Sequence, residues 1–269
     1  MADLAGNDVS QRLRAEGNED PEALAAICCR HGRPWLLGVD VDGTLAPIVS
    51  RPEQARLEPL AREVIERLVE TPGVVVAVVS GRPLSDLRHR FEIPAGAILI
   101  GSHGAEIGTE VDHPTPEEAL LMQATATELE TIRAGLDGSW IEHKPLAVAF
   151  HVRQADDHEG EIALGGLKRT FEGVPGVTMH RGHKVLELAV RPTSKLLAFG
   201  QLLSRLEPAT ALFIGDDASD EGVFGSLRDA DLSIKVGPGP TAARHRVGGP
   251  TEVVALLDAM QRGISTSAL

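Results

Sequence analysis

Apolar runs of strand length alternate along the chain with segments whose apolar residues recur at helical spacing. In the N-terminal half, the predicted strands are WLLGVD, VVVAVVS and AILIG, and the helices between them are LEPLAREVIERLVE and PLSDLRHRF. The β-branched run at residues 74–80 is typical of a strand that is buried on both faces, as in a parallel sheet. This order of elements predicts an α/β fold with a doubly wound, parallel, Rossmann-like sheet.

The same alternation returns near the C-terminus, after a middle segment of different character. The late predicted strands are ALFIGDD and LSIKVG, with helices around them. In the middle segment a long helix is followed by WIEHKPLAVAFHVR and GVTMHRGHKVLELAV, whose alternating pattern predicts half-exposed antiparallel strands. We therefore predict a core domain of residues 34–107 and 189–269, an inserted smaller α+β cap domain of residues 108–188 over the C-terminal edge of the sheet, and an N-terminal extension of residues 1–33.

Composition restricts the partners that this chain can have. Its 269 residues, 42% of them hydrophobic, suffice for a full core. A net charge of −13 argues against nucleic acid, because binding to a phosphate backbone needs a basic surface.

The adjacent cysteines, Cys28 and Cys29, offer neither a relaxed disulfide nor a zinc spacing, which fits a reducing cytoplasm. We find no signal peptide and no membrane-spanning run, and we expect a cytoplasmic monomer.

Three predicted strands of the main sheet end in polar residues. The first ends in DVDGT at residues 40–44, the second in SGR at residues 80–82, and a late one in GDD at residues 215–217, with Asp220 just beyond. Ligands bind beyond the carboxyl ends of the strands in an open α/β sheet, so we expect these groups to converge with Lys195, at the start of a helix. Each motif alone is more often a cap or a turn. Together, in this order, they indicate one site.

The chemistry that suits these residues is phosphoryl transfer. Close carboxylates repel one another unless a cation lies between them, and acidic oxygens with room for water suit Mg²⁺. Asp40 would attack the phosphate as the nucleophile and form an aspartyl phosphate. Asp42 would protonate the leaving oxygen and then activate water, since residues i and i+2 of a strand share a face. Lys195 and the metal would neutralise the phosphate charge.

The motifs resemble those of a known enzyme superfamily. DVDGTL, SGR, a downstream lysine and GDDASDE are similar, in order, to the four motifs of the haloacid-dehalogenase-like phosphatases. GSHGAEI, IEHKPLAVAFHVR and GHKVLELAVRP narrow the resemblance to the trehalose-6-phosphate phosphatases, over residues 34–262. The resemblance implies a Rossmann-like core, a mobile α/β cap and a small-molecule sugar phosphate, trehalose 6-phosphate, as the substrate.

The resemblance also implies roles for individual residues. Mg²⁺ would be held by Asp40, by the backbone carbonyl of Asp42 and by Asp216. Ser80 would hydrogen-bond the phosphoryl group, and Lys195 would stabilise its charge. Supporting residues would be Asp217 and Asp220. The other substrate-binding residues would be Thr44, Gly81, Arg82 and His103 in the core and Glu142, Lys144, Lys184 and Glu187 in the cap.

Three alternatives stay open on the sequence alone. Phosphatases of sucrose phosphate, mannosylglycerate phosphate or other sugar phosphates share the core motifs, and only the cap separates them. A non-catalytic sugar-phosphate-binding or regulatory domain is expected to have lost one of the motif aspartates or Lys195, and all are present. A phosphomutase needs a phosphoenzyme that is protected from water, and nothing in the sequence indicates such protection.

Overall fold

The computed structural model describes residues 17–108, 110–111, 114–144 and 146–266. Its strands are β1 (Trp35–Val39), β2 (Val74–Val79), β3 (Ile98–Gly101), β4 (Glu106–Ile107), β5 (Glu110–Val111), β6 (Trp140–Lys144), β7 (Ala147–His151), β8 (Thr178–Gly182), β9 (Val185–Ala189), β10 (Thr210–Gly215), β11 (Leu232–Val236) and β12 (His245–Val247). Its α-helices are α1 (Pro21–Cys28), α2 (Ala61–Val69), α3 (Leu84–His89), α4 (Pro116–Arg133), α5 (Asp157–Phe171), α6 (Lys195–Leu206), α7 (Ala218–Ser226) and α8 (Pro250–Thr266). Within the described ranges, no helix has both the length and the apolar character that a membrane crossing requires.

Eight strands form a large sheet in the order β12-β11-β10-β1-β2-β3-β4-β5. The pairs from β12 to β3 are parallel, and the two short strands β4 and β5 add antiparallel pairs at one edge. All residues of β1 and β10 are buried, because helices cover both faces of the sheet. The predicted α/β fold with a parallel sheet is confirmed.

Alternate residues of β1 pack against different helices. Trp35, Leu37 and Val39 share a core cluster with residues of α1, α2 and α8, whereas Leu36 shares a second cluster with residues of α6 and α7. Helix α1 therefore belongs to the core, although it lies within the predicted N-terminal extension. The two cysteines at its C-terminal end are free.

Four strands form a small antiparallel sheet in the order β6-β7-β9-β8. One face packs against α4 and α5 through a cluster that includes Leu129, Phe150 and Leu164. The predicted antiparallel pairing is correct, but the predicted half exposure is wrong for β7, whose five residues are all buried. On its other face, Ala149 lies in register between Glu142 and Glu187, whose longer side chains flank it.

The division into core and cap domains stays a prediction, and two strands do not follow its boundaries. Strand β5, at residues 110–111, extends the large sheet, and β9 continues in the small sheet as far as Ala189. Residues 1–16 of the predicted N-terminal extension lie outside the described residues.

Gly38 allows β1 to lie close to two neighbouring elements. A Cβ atom at this position would lie 2.4 Å from the ring of Phe213 on β10 and 2.6 Å from the ring of Phe199 on α6. Side-chain atoms do not approach one another so closely, so both rings occupy space that only glycine leaves free. The contact joins the three elements whose ends carry the predicted nucleophile, a metal ligand and the lysine.

We predict that Gly38→Ala lowers the free energy of unfolding by about 1–3 kcal/mol, because two buried rings must move to admit the methyl group. Equilibrium unfolding in urea measures this change. Gly200→Ala is the matched control, since a Cβ at Gly200 in α6 would meet no described heavy atom within 4 Å and alanine favours a helix. Equal changes in the two variants would contradict the packing argument.

Candidate active site

A cleft of about 580 Å³ lies between the carboxyl ends of the large sheet and one face of the small sheet. Asp40, Ser80 and Asp216, which follow β1, β2 and β10, contribute to its wall. The small sheet contributes Glu142 and Glu187. Residues that the sequence assigns to the core and to the cap therefore border one space.

A buried ion cluster borders this cleft. Nζ of Lys195 lies 2.9 Å from Oδ1 of Asp40 and 2.9 Å from Oδ1 of Asp220. Ser194 caps α6 by accepting a hydrogen bond from the N–H of Leu197, which fixes the turn that carries Lys195. Burial disfavours the ammonium charge, but Asp220 and Asp40 outweigh burial and raise the pKa of Lys195. Lys195 is therefore a permanent cation of the site.

Three carboxylates converge beside this lysine. Asp40, Asp216 and Asp220 bring oxygen atoms within 4.8 Å of one another. Burial raises the pKa of Asp40 well above its usual range, against the opposing effect of Lys195, and the charges of Asp220 and Asp216 add to the rise. Burial and the charge of Asp220 raise the pKa of Asp216 to about 6. One lysine does not balance three carboxylates, so the cluster favours a further cation.

The donor set fits a hard divalent cation such as Mg²⁺. The two oxygens of Asp220 are already used, one by Lys195 and the other by the N–H of Asp217 at 3.0 Å. Asp40 and Asp216 are left to offer oxygens to a metal. The described cluster contains carboxylates and neither histidine nor cysteine, which is the donor set that Mg²⁺ prefers.

The turn after Asp42 lies against Asp216. Gly43 has a φ of 81°, and a Cβ atom there would lie 2.0 Å from Oδ2 of Asp216, so backbone conformation and close contact both require glycine. The buried Thr44 donates from Oγ1 to Oδ1 of Asp216 at 3.5 Å. Thr44 is not among the cleft-lining residues in the described part of the chain, and its observed contact is with a carboxylate.

Asp42 is held by Arg82. Nε and Nη2 of Arg82 donate to the two carboxylate oxygens of Asp42 at 2.6 Å and 2.7 Å. Strand β1 ends at Val39, and the chain then turns through several hydrogen bonds to the carbonyl of Val41. The prediction that Asp40 and Asp42 share a strand face is therefore wrong, because the chain has left the strand before it reaches Asp42.

The SGR motif connects the large sheet to the small one. The buried Oγ of Ser80 accepts a hydrogen bond from the N–H of Arg82 at 3.1 Å. The carbonyl of Gly81 accepts a hydrogen bond from Nζ of Lys144 on β6 at 2.9 Å. A Cβ atom at Gly81 would lie 2.5 Å from the ring of His103, so this position admits only glycine without rearrangement.

A second buried ion pair joins Lys144 to Glu187. Nε2 of His103 lies 3.9 Å from Oε2 of Glu187, and the His103 ring stacks on His180 with the centroids 5.4 Å apart. Burial lowers the pKa of His103 to about 4, so the imidazole is neutral at pH 7. Burial opposes ionisation of Glu187, but the charge of Lys144 outweighs it and lowers the pKa of this carboxyl.

Several cleft residues of the small sheet escaped the sequence analysis, among them Trp140, His151 and His180. Nε2 of His151 lies 3.0 Å from Oε2 of Glu142, and the Trp140 ring stacks on the His151 ring. The signal was present in the spacing, because Trp140, Glu142 and Lys144 stand at i, i+2 and i+4 of β6 and so share one face of the strand.

Two predicted site residues, Lys184 and Asp217, make contacts with acidic residues of the protein. Lys184 lies in the turn between β8 and β9 with a φ of 57°, and its ammonium pairs with Asp157 at the start of α5. It is not among the cleft-lining residues that the structure describes, so the structure does not bring it to the predicted sugar site. Asp217 borders the cleft and forms a capping box with Asp220 at the start of α7.

Comparison with known proteins gives consistent matches. The trehalose-phosphatase family model matches residues 38–248. The bifunctional trehalose-6-phosphate synthase/phosphatase of Thermoproteus tenax is 32% identical over 272 residues, which cover 97% of this chain and 36% of that protein. The trehalose-phosphate phosphatase of Mycobacterium tuberculosis is 31% identical over 271 residues, which cover 93% of this chain and 68% of that protein.

Solved structures share the fold. The C-terminal domain of the trehalose-6-phosphate phosphatase of C. albicans superposes with a TM-score of 0.78 at 20% identity, covering 94% of this chain and 99% of that one.

The present chain spans about a third of the length of the T. tenax relative, 36% of it. The family model, by contrast, extends from the end of β1 beyond β12 and includes every motif described above. The chain belongs to the trehalose-phosphatase family.

Proposed function

We propose that this chain is a Mg²⁺-dependent phosphatase that hydrolyses trehalose 6-phosphate to trehalose and phosphate. The observation that carries the proposal is the buried cluster of Asp40, Lys195, Asp216 and Asp220 beside a cleft with a polar second wall. The T. tenax relative is named for trehalose 6-phosphate and the M. tuberculosis relative for trehalose phosphate, which supports this choice of substrate. The cytoplasmic location and the monomeric state stay predictions from the sequence.

Asp40 is the nucleophile in this mechanism. An oxygen of Asp40 attacks phosphorus, and a bond from Asp40 to phosphorus forms as the bond from phosphorus to the sugar oxygen breaks. Lys195, 2.9 Å from Asp40, offsets the charge of the phosphoryl oxygens, and the hydroxyl of Ser80 donates a hydrogen bond to them. The product of this step is an aspartyl phosphate.

Asp42 carries the proton. Its protonated form gives the proton to the departing sugar oxygen, which releases trehalose, and the carboxylate then takes a proton from the water that attacks the aspartyl phosphate. Phosphate leaves, and Asp40 is regenerated. Because Arg82 holds both oxygens of Asp42 in this structure, each transfer needs a rotation of Asp42 away from the guanidinium.

Asp40, Asp216 and the backbone carbonyl of Asp42 would hold Mg²⁺, with Asp217 and Asp220 in support. Bound Mg²⁺ would supply the positive charge that lets a carboxylate approach a phosphate dianion. The raised pKa values of Asp40 and Asp216 support this assignment, because neighbouring negative charges contribute to both shifts.

The small sheet selects the sugar. Glu142, Lys144 and Glu187 line the cleft with polar groups that can bond the hydroxyls of a disaccharide. The neutral His103 and the guanidinium of Arg82 add donors on the opposite wall. A site built from such groups rejects a smaller ester that lacks the matching hydroxyls, because the polar groups would stay unpaired.

We expect phosphate release from trehalose 6-phosphate with a kcat/KM at least about tenfold above the values for glucose 6-phosphate and sucrose 6-phosphate. Asp40→Asn should reduce turnover to background, since it removes the attacking oxygen and keeps the shape. Asp137→Asn, at an exposed aspartate, is the matched control.

Two outcomes would count against this account. A faster reaction with sucrose 6-phosphate would refute the sugar assignment and leave the mechanism intact. Turnover by Asp40→Asn within about tenfold of the wild-type rate, in protein whose mass confirms asparagine, would exclude Asp40 as the nucleophile.

We also predict that a chelator abolishes turnover and that Mg²⁺ restores it. Asp216→Asn should raise the Mg²⁺ concentration needed for half-maximal activity by at least about tenfold, because one anionic ligand is lost. Titration of the chelated enzymes with Mg²⁺ measures this, with Asp137→Asn as the control. Full activity after exhaustive chelation would refute the predicted dependence of turnover on a metal ion.

A further inference from the structure

An aromatic pair lies on the cleft face of the small sheet. Trp140 and His151 are directly opposite each other on β6 and β7, and their rings stack with the centroids 4.6 Å apart and the planes within 2° of parallel. Glu142 fixes the imidazole, since its carboxylate accepts a hydrogen bond from Nε2 of His151 at 3.0 Å. The half-buried indole is thus held flat on one side and borders the cleft with its remaining surface.

The position of this pair matches a second sugar ring. Lys144, at the other end of β6, contacts the carbonyl of Gly81, next to the phosphate-binding Ser80 of the proposed mechanism. Trp140 precedes Lys144 by four residues, which places it about 13 Å farther along the strand. In the proposed mechanism the ring that carries the phosphate would lie between these points, and the unphosphorylated ring of a disaccharide would be the part that reaches Trp140.

The core wall supplies an apolar surface at the same end of the cleft. Nη1 of Arg153, two residues beyond His151, donates to the carbonyl of Val49 at 3.0 Å. Ile48, next in the chain, borders the cleft and is 56% exposed, although it is a large apolar residue. A large exposed apolar side chain and a flat indole in the same cleft offer a place for an apolar ligand surface.

We propose that Trp140 is a specificity-determining residue that packs against the apolar C–H face of the unphosphorylated sugar ring, with His151 as its positioning residue. A hexose ring presents C–H groups on its faces and hydroxyls around its rim. The indole packs against one face of the sugar ring, while Glu142 and other polar groups of the sheet form hydrogen bonds with the hydroxyls around its rim. This inference rests on the proposed function and adds to it a discrimination by ring number that phosphate chemistry does not supply.

Substrate ratios in four proteins test the inference. Trp140→Ala should lower the ratio of kcat/KM for trehalose 6-phosphate to kcat/KM for p-nitrophenyl phosphate by about tenfold, mainly through KM. Trp140→Phe keeps a flat apolar face and should recover most of the ratio. His143→Ala is the matched control, because His143 is exposed on the opposite face of the same strand, and it should keep the wild-type ratio. An unchanged ratio in Trp140→Ala, or an equal fall for both substrates, overturns the inference.

Fluorescence supplies a readout that is independent of turnover. The chain has two tryptophans, and Trp35 is only 1% exposed. In Asp40→Asn, saturating trehalose 6-phosphate should change the emission and reduce its quenching by acrylamide. Asp40→Asn/Trp140→Phe should show neither effect. Emission and quenching that do not respond to the ligand, in protein that binds it by calorimetry, overturn the inference.

The same experiments separate the inference from the function on which it rests. A wild-type protein that shows no preference for trehalose 6-phosphate over glucose 6-phosphate refutes the proposed function before any variant is compared. A wild-type preference that survives Trp140→Ala refutes only the role of the aromatic pair.

Discussion

The contact of Lys195 with Asp40 and Asp220 is the interaction on which the active site depends. Buried charges are stable only when they are well paired, and loss of one partner costs about 3–5 kcal/mol because the remaining charges stay uncompensated. In the proposed mechanism the same ammonium stands where a phosphate dianion meets the Asp40 carboxylate. Close backbone packing makes the contact possible: a Cβ atom at Gly215 would lie 2.3 Å from Cγ of Asp220.

The small sheet is coupled to the large one through polar contacts, beside a small apolar cluster of Ala105, Leu146 and Val190. Lys144 pairs with Glu187 and also donates to the carbonyl of Gly81, while Arg153 donates to the carbonyl of Val49. The hydrogen bonds to the carbonyls of Gly81 and Val49 can be exchanged for contacts with water or a ligand at modest cost, whereas the apolar cluster beneath the sheet cannot. The arrangement suits a wall that must admit a sugar and then surround it.

Much of the site could be predicted from the sequence because parallel strands bring their carboxyl ends together. The convergence of Asp40, Lys195 and Asp216 follows from that rule and from the motif order. The rule fails where the chain leaves regular structure, which is why strand spacing misplaced Asp42 after its turn. A hairpin turn likewise carries Lys184 to Asp157, a pairing that sequence spacing does not encode. The aromatic pair depends on the register of β6 against β7, which only the folded sheet determines.

In the proposed mechanism, Asp40 attacks phosphorus while Lys195 neutralises the charge of the phosphate. The most direct test is to mix the enzyme with radiolabelled trehalose 6-phosphate, quench the reaction in acid within milliseconds, and map the label by mass spectrometry. We expect a transient, hydroxylamine-sensitive acyl phosphate on the peptide that contains Asp40. Label on another residue, or rapid phosphate release with no labelled enzyme at any time, would contradict it.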